Sequence, residues 1–369
     1  MKRLALLFTL LFIAIPSAEG AIVIKPMVQL AQVDPLATNV VVSGSQLAVI
    51  GNREKNGFIQ LINGPTVELT SGIESFVSAA TVDPAGNFVI VGASSNPIVG
   101  TLPPIQGVLN PDNVVSDPVS SNKSDAVNLI YWKVDLTGKV IDTQTMSMST
   151  ATIPYSVIAD TTGVVVAGSL YANPGSVGFV SNWNAKQILI GKTYTSVFGI
   201  TRSADGGVVA VGQSSDKLLA TTLKGKVDGF LAKVANGKVV SVQRSSDVNA
   251  NRAWRTSSES LLLGGFSNSS AVITKFNPNF IPAWTDRYPS NGTALTASVG
   301  KNNYGAFVST GAIKALPTWK KKNAILLLTL DAKGLISGAS YVNSTIINGF
   351  TANSTVGPIV LSGGFLYRA

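Results

Sequence analysis

One short stretch constrains this chain more than any other: Asp205-Gly206-Gly207-Val208-Val209-Ala210-Val211-Gly212, because its apolar run closing on glycine recurs along the sequence. Versions stand at 47–51, 88–92, 164–168, 208–212, 261–265, 306–311 and 359–363, ending on Gly51, Gly92, Gly168, Gly212, Gly265, Gly311 and Gly363. Successive glycines are 41, 76, 44, 53, 46 and 52 residues apart, which is the size of a propeller blade with one exception.

Each landmark follows a strand-like run and a turn signal. Asp83-Pro84-Ala85-Gly86, Asp160-Thr161-Thr162-Gly163 and Ser203-Ala204-Asp205-Gly206 precede the second, third and fourth copies. Asp bonds its local backbone and Gly accepts positive φ, so these positions predict hairpins, with the landmark as the second strand (b) after a first strand (a). A second hairpin follows after a variable loop. Gly229-Phe230-Leu231-Ala232-Lys233-Val234 turns at Asn236-Gly237, Ile130-Tyr131-Trp132-Lys133-Val134-Asp135 at Thr137-Gly138, and 325–331 at Lys333-Gly334. Looser versions lie at 57–59, 178–180 and 272–276, and all supply strands c and d.

The seventh unit meets the chain end at Ala369 soon after its b strand. Ala21-Ile22-Val23-Ile24-Lys25 matches Ala271-Val272-Ile273-Thr274-Lys275 and is expected to be its c strand, with Val28-Gln29-Leu30-Ala31-Gln32 as d. Such closure leaves no open sheet edge. The expected fold is therefore all-β: a seven-bladed β-propeller of four-stranded antiparallel blades, its ring closed by N-terminal strands. The units resemble the bacterial β-propeller repeat family often labelled SBBP, which reads roughly D-x-x-G-x-x-x-V-x-G, a loop, then F-x-x-K-x-D-x-x-G. The likeness is clearest in Trp132-Lys133-Val134-Asp135-Leu136-Thr137-Gly138 and Phe230-Leu231-Ala232-Lys233-Val234. It implies an exported propeller and no particular reaction.

Residues 1–20 read as a signal peptide: Lys2 and Arg3, an apolar run over 4–15, then small residues with Ala18 and Gly20 before a cut at Ala21. An uncleaved anchor is the alternative, but a dozen apolar residues is short of the roughly 20 that a spanning helix needs. No later segment is long enough to span, so residues 21–369 are expected to form one exported propeller domain, secreted, periplasmic or surface-associated, and monomeric. The 369 residues contain neither Cys nor His, which excludes disulfides, Ser-His-Asp catalysis and histidine metal sites. No phosphate loop, dinucleotide fingerprint, calcium loop or nucleic-acid motif occurs, so no cofactor, metal or catalytic residue is assigned.

The net charge is +9, or +8 once Lys2, Arg3 and Glu19 are removed, and draws the protein to polyanions. The widest landmark gap holds an insertion, 96–125, with five prolines. It leaves the b–c connection of the second unit, and in a propeller the b–c and d–a connections share one face. Other b–c loops there carry Lys217, Lys224 and Lys226, and Lys314, Trp319, Lys320, Lys321 and Lys322, while Arg252, Trp254 and Arg255 follow the fourth unit. Together these form the candidate binding surface, by charge and stacking. Two readings follow: a non-enzymatic binding or scaffold propeller for an anionic cell-envelope polymer, glycan or surface protein, and a carbohydrate-active lyase or hydrolase using carboxylates or Tyr in the central channel.

Overall fold

A computed structural model describes residues 22–71, 74–95, 126–203, 205–320 and 323–369. The insertion 96–125, the leader 1–20, Lys321 and Lys322 lie outside the described residues. The strands form seven sheets arranged as consecutive blades, a seven-bladed β-propeller. The seven a strands are Ala37–Ser43, Ser75–Val82, Ala151–Asp160, Thr195–Arg202, Arg252–Ser257, Leu295–Val299 and Gly349–Asn353, and each touches the a strands of both neighbouring blades. They line the central channel.

The landmark runs lack in/out alternation because both faces of each b strand are covered. In blade 2, Phe88 and Ile90 pack toward blade 1 with Ile50 and Ile59, whereas Val89 and Val91 pack toward blade 3 with Val166 and Phe179. Blade 4 repeats the division, Val208 and Ala210 facing blade 3, Val209 and Val211 facing blade 5. The apolar core is thus seven wedges, one at each blade interface.

Five landmark glycines share a steric duty. Strand a of blades 1 to 5 bulges opposite the landmark, between Ala37 and Asn39, Val77 and Ala79, Pro154 and Ser156, Val197 and Gly199, and Trp254 and Thr256. At each bulge a carbonyl comes against the glycine. A Cβ on Gly51, Gly92, Gly168, Gly212 or Gly265 would fall far inside contact with the backbone oxygen of Leu36, Phe76, Ile153, Ser196 or Ala253. Only a residue without a side chain admits the bulge. Of the extra residues it leaves, Thr38, Tyr155, Phe198 and Arg255 line the channel, whereas the Ser78 hydroxyl donates to the Pro154 carbonyl of the next blade.

The turns follow the expected chemistry. Asp83 Oδ1 accepts from the N–H of Ala85 (3.0 Å) and Asn87 (2.9 Å), and Asp331 Oδ1 from Lys333 (2.8 Å) and Leu335 (2.9 Å). The c-strand lysines complete the pattern: Lys133 pairs with Asp83 at 3.1 Å and Lys233 with Asp205 at 2.5 Å, tying strand c to the a–b turn of its own blade.

Closure differs in one detail from the sequence expectation. Val28–Gln32 is the outer strand of blade 7, pairing antiparallel with Phe365–Arg368. That C-terminal strand is blade 7's own c strand, and the segment 21–25 is not. Gly363 and Gly364, at φ +56° and +81°, make a two-residue hairpin after Gly357–Ser362, so four further residues suffice for strand c. Ile24–Pro26 instead adds a fifth, parallel strand to blade 6, with Lys25 opposite Ser340. Met27 and Val33, both buried, anchor the strap on either side of the closing strand.

Substituting Gly212→Ala should cost about 2–4 kcal/mol, because backbone must move to admit the methyl group. Gly206→Ala, at φ +83° with open space around it, should cost only about 1–2 kcal/mol of backbone strain. Urea midpoints with unchanged m-values read the difference, and equal losses would contradict the bulge account.

Candidate functional site

The b–c and d–a connections emerge together on what is here called the upper face. On blade 4 the loop from Ser214 to Asp228 is folded down by the buried Leu218, whose carbonyl accepts from the Thr221 N–H at 2.9 Å. On blade 6 the loop from Ser309 to Ala324 descends in successive turns, Ile313 to Leu316 (2.9 Å) and Leu316 to Trp319 (2.8 Å), and these three apolar residues are buried. Lys217, Lys224, Lys226, Lys314 and Lys320 are left exposed between the anchors. Between the two loops, blade 5 makes only a short turn from Ser267 to Ser270.

The carboxylates of this region are already occupied. Asp216 Oδ2 accepts from the N–H groups of Lys192 (2.7 Å), Thr193 (2.9 Å) and Tyr194 (3.0 Å) and from the Thr195 hydroxyl (2.8 Å). Burial pushes the Asp216 carboxyl up, and these N–H donors more than offset it, leaving the group below the usual carboxylate range. Asp228 is fully buried. It accepts from the N–H of Lys224 (2.9 Å) and Gly225 (2.8 Å) and pairs with the Arg244 guanidinium at 3.4 Å. Among the described residues no carboxylate forms an ion pair with Lys192, Lys217, Lys224, Lys226, Lys314 or Lys320. The two loops therefore carry more positive than negative charge, five exposed lysines against Asp216 and Asp228 among the described residues.

Four other candidates stand elsewhere. Trp319 is 3% exposed, its indole donates to the Ser309 hydroxyl at 2.9 Å, and it packs beside Tyr341 in the wedge between blades 5 and 6. Trp254 is fully buried edge-on to Phe276 between blades 4 and 5. Neither ring offers a face to a partner, which corrects the stacking role assigned to both. Arg252 is also buried, its guanidinium 4.8 Å from the Trp254 ring; burial, then repulsion from Arg287, lowers its pKa to about 10. Arg255 alone reaches the channel.

The channel cavity is about 470 Å³ and carries residues of all seven innermost strands. Arg255 is its sole charged lining residue among those described; the rest are apolar, hydroxyl or amide side chains and glycine. Its guanidinium lies 3.7 Å from the centre of the Phe198 ring and 5.7 Å from that of Phe266. Phe198 meets Tyr155 edge-on at 5.1 Å, and the Tyr155 and Tyr171 hydroxyls are 2.6 Å apart. Burial lowers the Arg255 pKa while the tyrosine oxygens pull it back up; burial, then the bond to Tyr171, raises that of Tyr155. These aromatic residues escaped the sequence reading. Their signal was the landmark glycine: the bulge it permits pushes Tyr155, Phe198 and Arg255 inward, and aligning the a strands on those glycines picks them out.

The opposite face holds the turn carboxylates. Arg202 of blade 4 bonds Asp160 of blade 3 at 2.6 Å, holding its carboxyl at about 2, and Lys233 does the same for Asp205, also at about 2. These are structural pairs and share no cleft with Arg255.

No family model and no curated protein matches the sequence. Solved structures do. Virginiamycin B lyase from Staphylococcus aureus aligns with 93% of this chain and 98% of its own at TM-score 0.55 and 9% identity. A chain of the mitotic checkpoint complex aligns over 100% and 99% at TM-score 0.53 and 9% identity. The Dos1 propeller aligns over 93% and 95% at TM-score 0.51 and 10% identity. At such identities the likeness is one of fold.

Trp319→Ala should destabilise the protein by about 3–5 kcal/mol, the cost of a core aromatic, in denaturant titration. A neutral effect on stability would restore Trp319 as a surface residue. Carboxylates with lowered pKa stabilise the fold above their unfolded value, about 3.9, and that contribution fades as pH falls through about 2. Thermal melts from pH 5 to pH 2 should thus fall more steeply for the native chain than for Asp160→Asn/Asp205→Asn; parallel curves would show that the pairs add nothing.

Proposed function

We propose that this protein is an exported binding propeller that holds an anionic macromolecule, such as an acidic cell-envelope polymer, on its upper face. The observation that carries the reading is the imbalance of charge there. Lys217, Lys224, Lys226, Lys314 and Lys320 stand exposed around the short blade 5 turn, against two acids in the same loops, Asp216 and Asp228, of which Asp228 is paired with Arg244. Fixed positive charge of this kind steers and concentrates polyanions, with an affinity that depends on ionic strength.

The channel supports binding over the carboxylate-based lyase or hydrolase. Glycoside hydrolysis by the common route uses two carboxyl groups flanking the bond, and no Asp or Glu is among the described residues lining this cavity. Tyr155 is there, but burial holds its hydroxyl protonated, which suits a hydrogen-bond donor better than a base. Export is consistent with the strap: a cut before Ala21 keeps the ring-closing strand Val28–Gln32 whole.

Binding of the chain from Ala21 onward to labelled polygalacturonate should weaken at least about tenfold between 50 and 500 mM NaCl. Lys224→Gln/Lys226→Gln/Lys320→Gln should weaken it about three- to tenfold at low salt, at under 1 kcal/mol per exposed charge, with the melting temperature unchanged. Affinity indifferent to salt and to these substitutions would sink the proposal.

A further inference from the structure

The upper mouth of the central channel combines features that the lysine loops do not explain. Arg255 is held in place by stacking on Phe198 rather than by an ion pair, and no described residue accepts a hydrogen bond from its guanidinium. A partly buried guanidinium with a clean fork of N–H donors is a receptor for a planar anion. Beside it, the Tyr155 and Tyr171 hydroxyls share one hydrogen bond, which uses one of their two protons. The other O–H remains a donor for a ligand. Tyr171, 39% exposed, also faces a neighbouring cavity of about 550 Å³ over the Asn173-Pro174-Gly175 turn, whose far wall is Tyr194, 54% exposed. The Arg255 fork and two exposed phenol rings thus follow one another from the channel mouth outward.

We propose that this mouth is a subsite for the carboxylate-bearing sugar at the end of an acidic glycan, with Arg255 receiving the carboxylate and Tyr171 and Tyr194 serving as platforms for sugar rings. The assignment rests on the reading of the upper face as one that takes an anionic partner, and it names the group recognised. Three features favour a sugar acid. The carboxylate matches the guanidinium fork in charge and planarity. The channel wall offers neutral polar groups for hydroxyls, among them Thr38 and Asn39 from blade 1, Thr81 from blade 2 and Ser156 from blade 3. The volume of about 470 Å³ lies within the roughly 300–1,000 Å³ of small-ligand sites. A single cation suits one terminal carboxylate, whereas the lysine loops outside suit the polymer's repeating charge.

Calorimetric or ligand-observed NMR titration of the chain from Ala21 onward with D-galacturonate and, separately, D-galactose tests this. Galacturonate should bind at least about tenfold more tightly than galactose, the difference that a charge-assisted bidentate contact makes. Arg255→Gln should remove that preference, Arg255→Lys should retain part of it, and Tyr171→Phe should weaken galacturonate about threefold, all at native melting temperature. Should Arg255→Gln fail to fold, Arg255→Lys and Tyr171→Phe still read the site. Lys224→Gln/Lys226→Gln/Lys320→Gln should leave galacturonate affinity unchanged while polygalacturonate binding falls, which separates this site from the lysine surface. Equal affinity for the acid and the neutral sugar, no detectable galacturonate binding, or binding indifferent to Arg255→Gln would overturn the proposal. So would tighter binding of triglycine or thymidine monophosphate, which would make the site a receptor for a peptide terminus or a nucleotide.

Discussion

The structure depends on a contact between a glycine and a carbonyl. At five blades the strand a backbone bulges so that one carbonyl presses on the landmark glycine of strand b, at a distance that no Cβ tolerates. The contact keeps the sheet's inner edge bent, as bulges do by adding a residue and sharpening local twist. It also helps decide what the channel contains, since the extra residue of four of the five bulges lines it. A folding constraint and the chemistry of the channel thus share one set of positions.

Around that inner ring, stability is distributed. Each blade buries both faces against neighbours, so seven apolar wedges replace a single core and every blade interface must be filled. Polar bonds between blades reinforce the inner ring: the Asn52 side chain bonds the Val77 backbone in both directions, at 2.9 and 2.7 Å, and the Thr256 hydroxyl accepts from the Thr296 N–H at 3.0 Å. The ring needs closing because an unpaired blade edge would stay open to other strands. One N-terminal strand does this, and its predecessor caps the edge of blade 6.

The upper face owes its character to how its acids are spent. Asp216 and Asp228 fasten loops by accepting backbone N–H groups, Asp228 also pairs with Arg244, and neither is drawn into an ion pair with the more numerous lysines nearby. On the other face the acids do the reverse: Asp83, Asp160 and Asp205 meet Lys133, Arg202 and Lys233 and cancel their charge.

The blade number, strand order within a blade and turn positions were legible because each rests on local physics: a run of small apolar residues covered on both faces, Asp and Gly at turn offsets, and a Gly at the same rank in five b strands, with Gly311 and Gly363 just beyond theirs. The outer closing strand was legible too, but not the c strand of blade 7, since a two-glycine hairpin needs so little sequence. Positions 252, 254 and 319 show the limit more sharply. A Trp among lysines in a loop reads as exposed, yet Trp319 is buried because Ile313 and Leu316 draw its loop onto the blade and Tyr341 receives it. Arg255 gains its setting from Phe198 of the preceding blade and Tyr155 and Tyr171 of the one before that. The sequence by itself determined the repeating unit, since hydrophobic periodicity and turn chemistry act between near neighbours. Only the tertiary structure decided which charges stay unpaired and which aromatic rings face solvent, because burial and ion pairing depend on residues brought together from different blades.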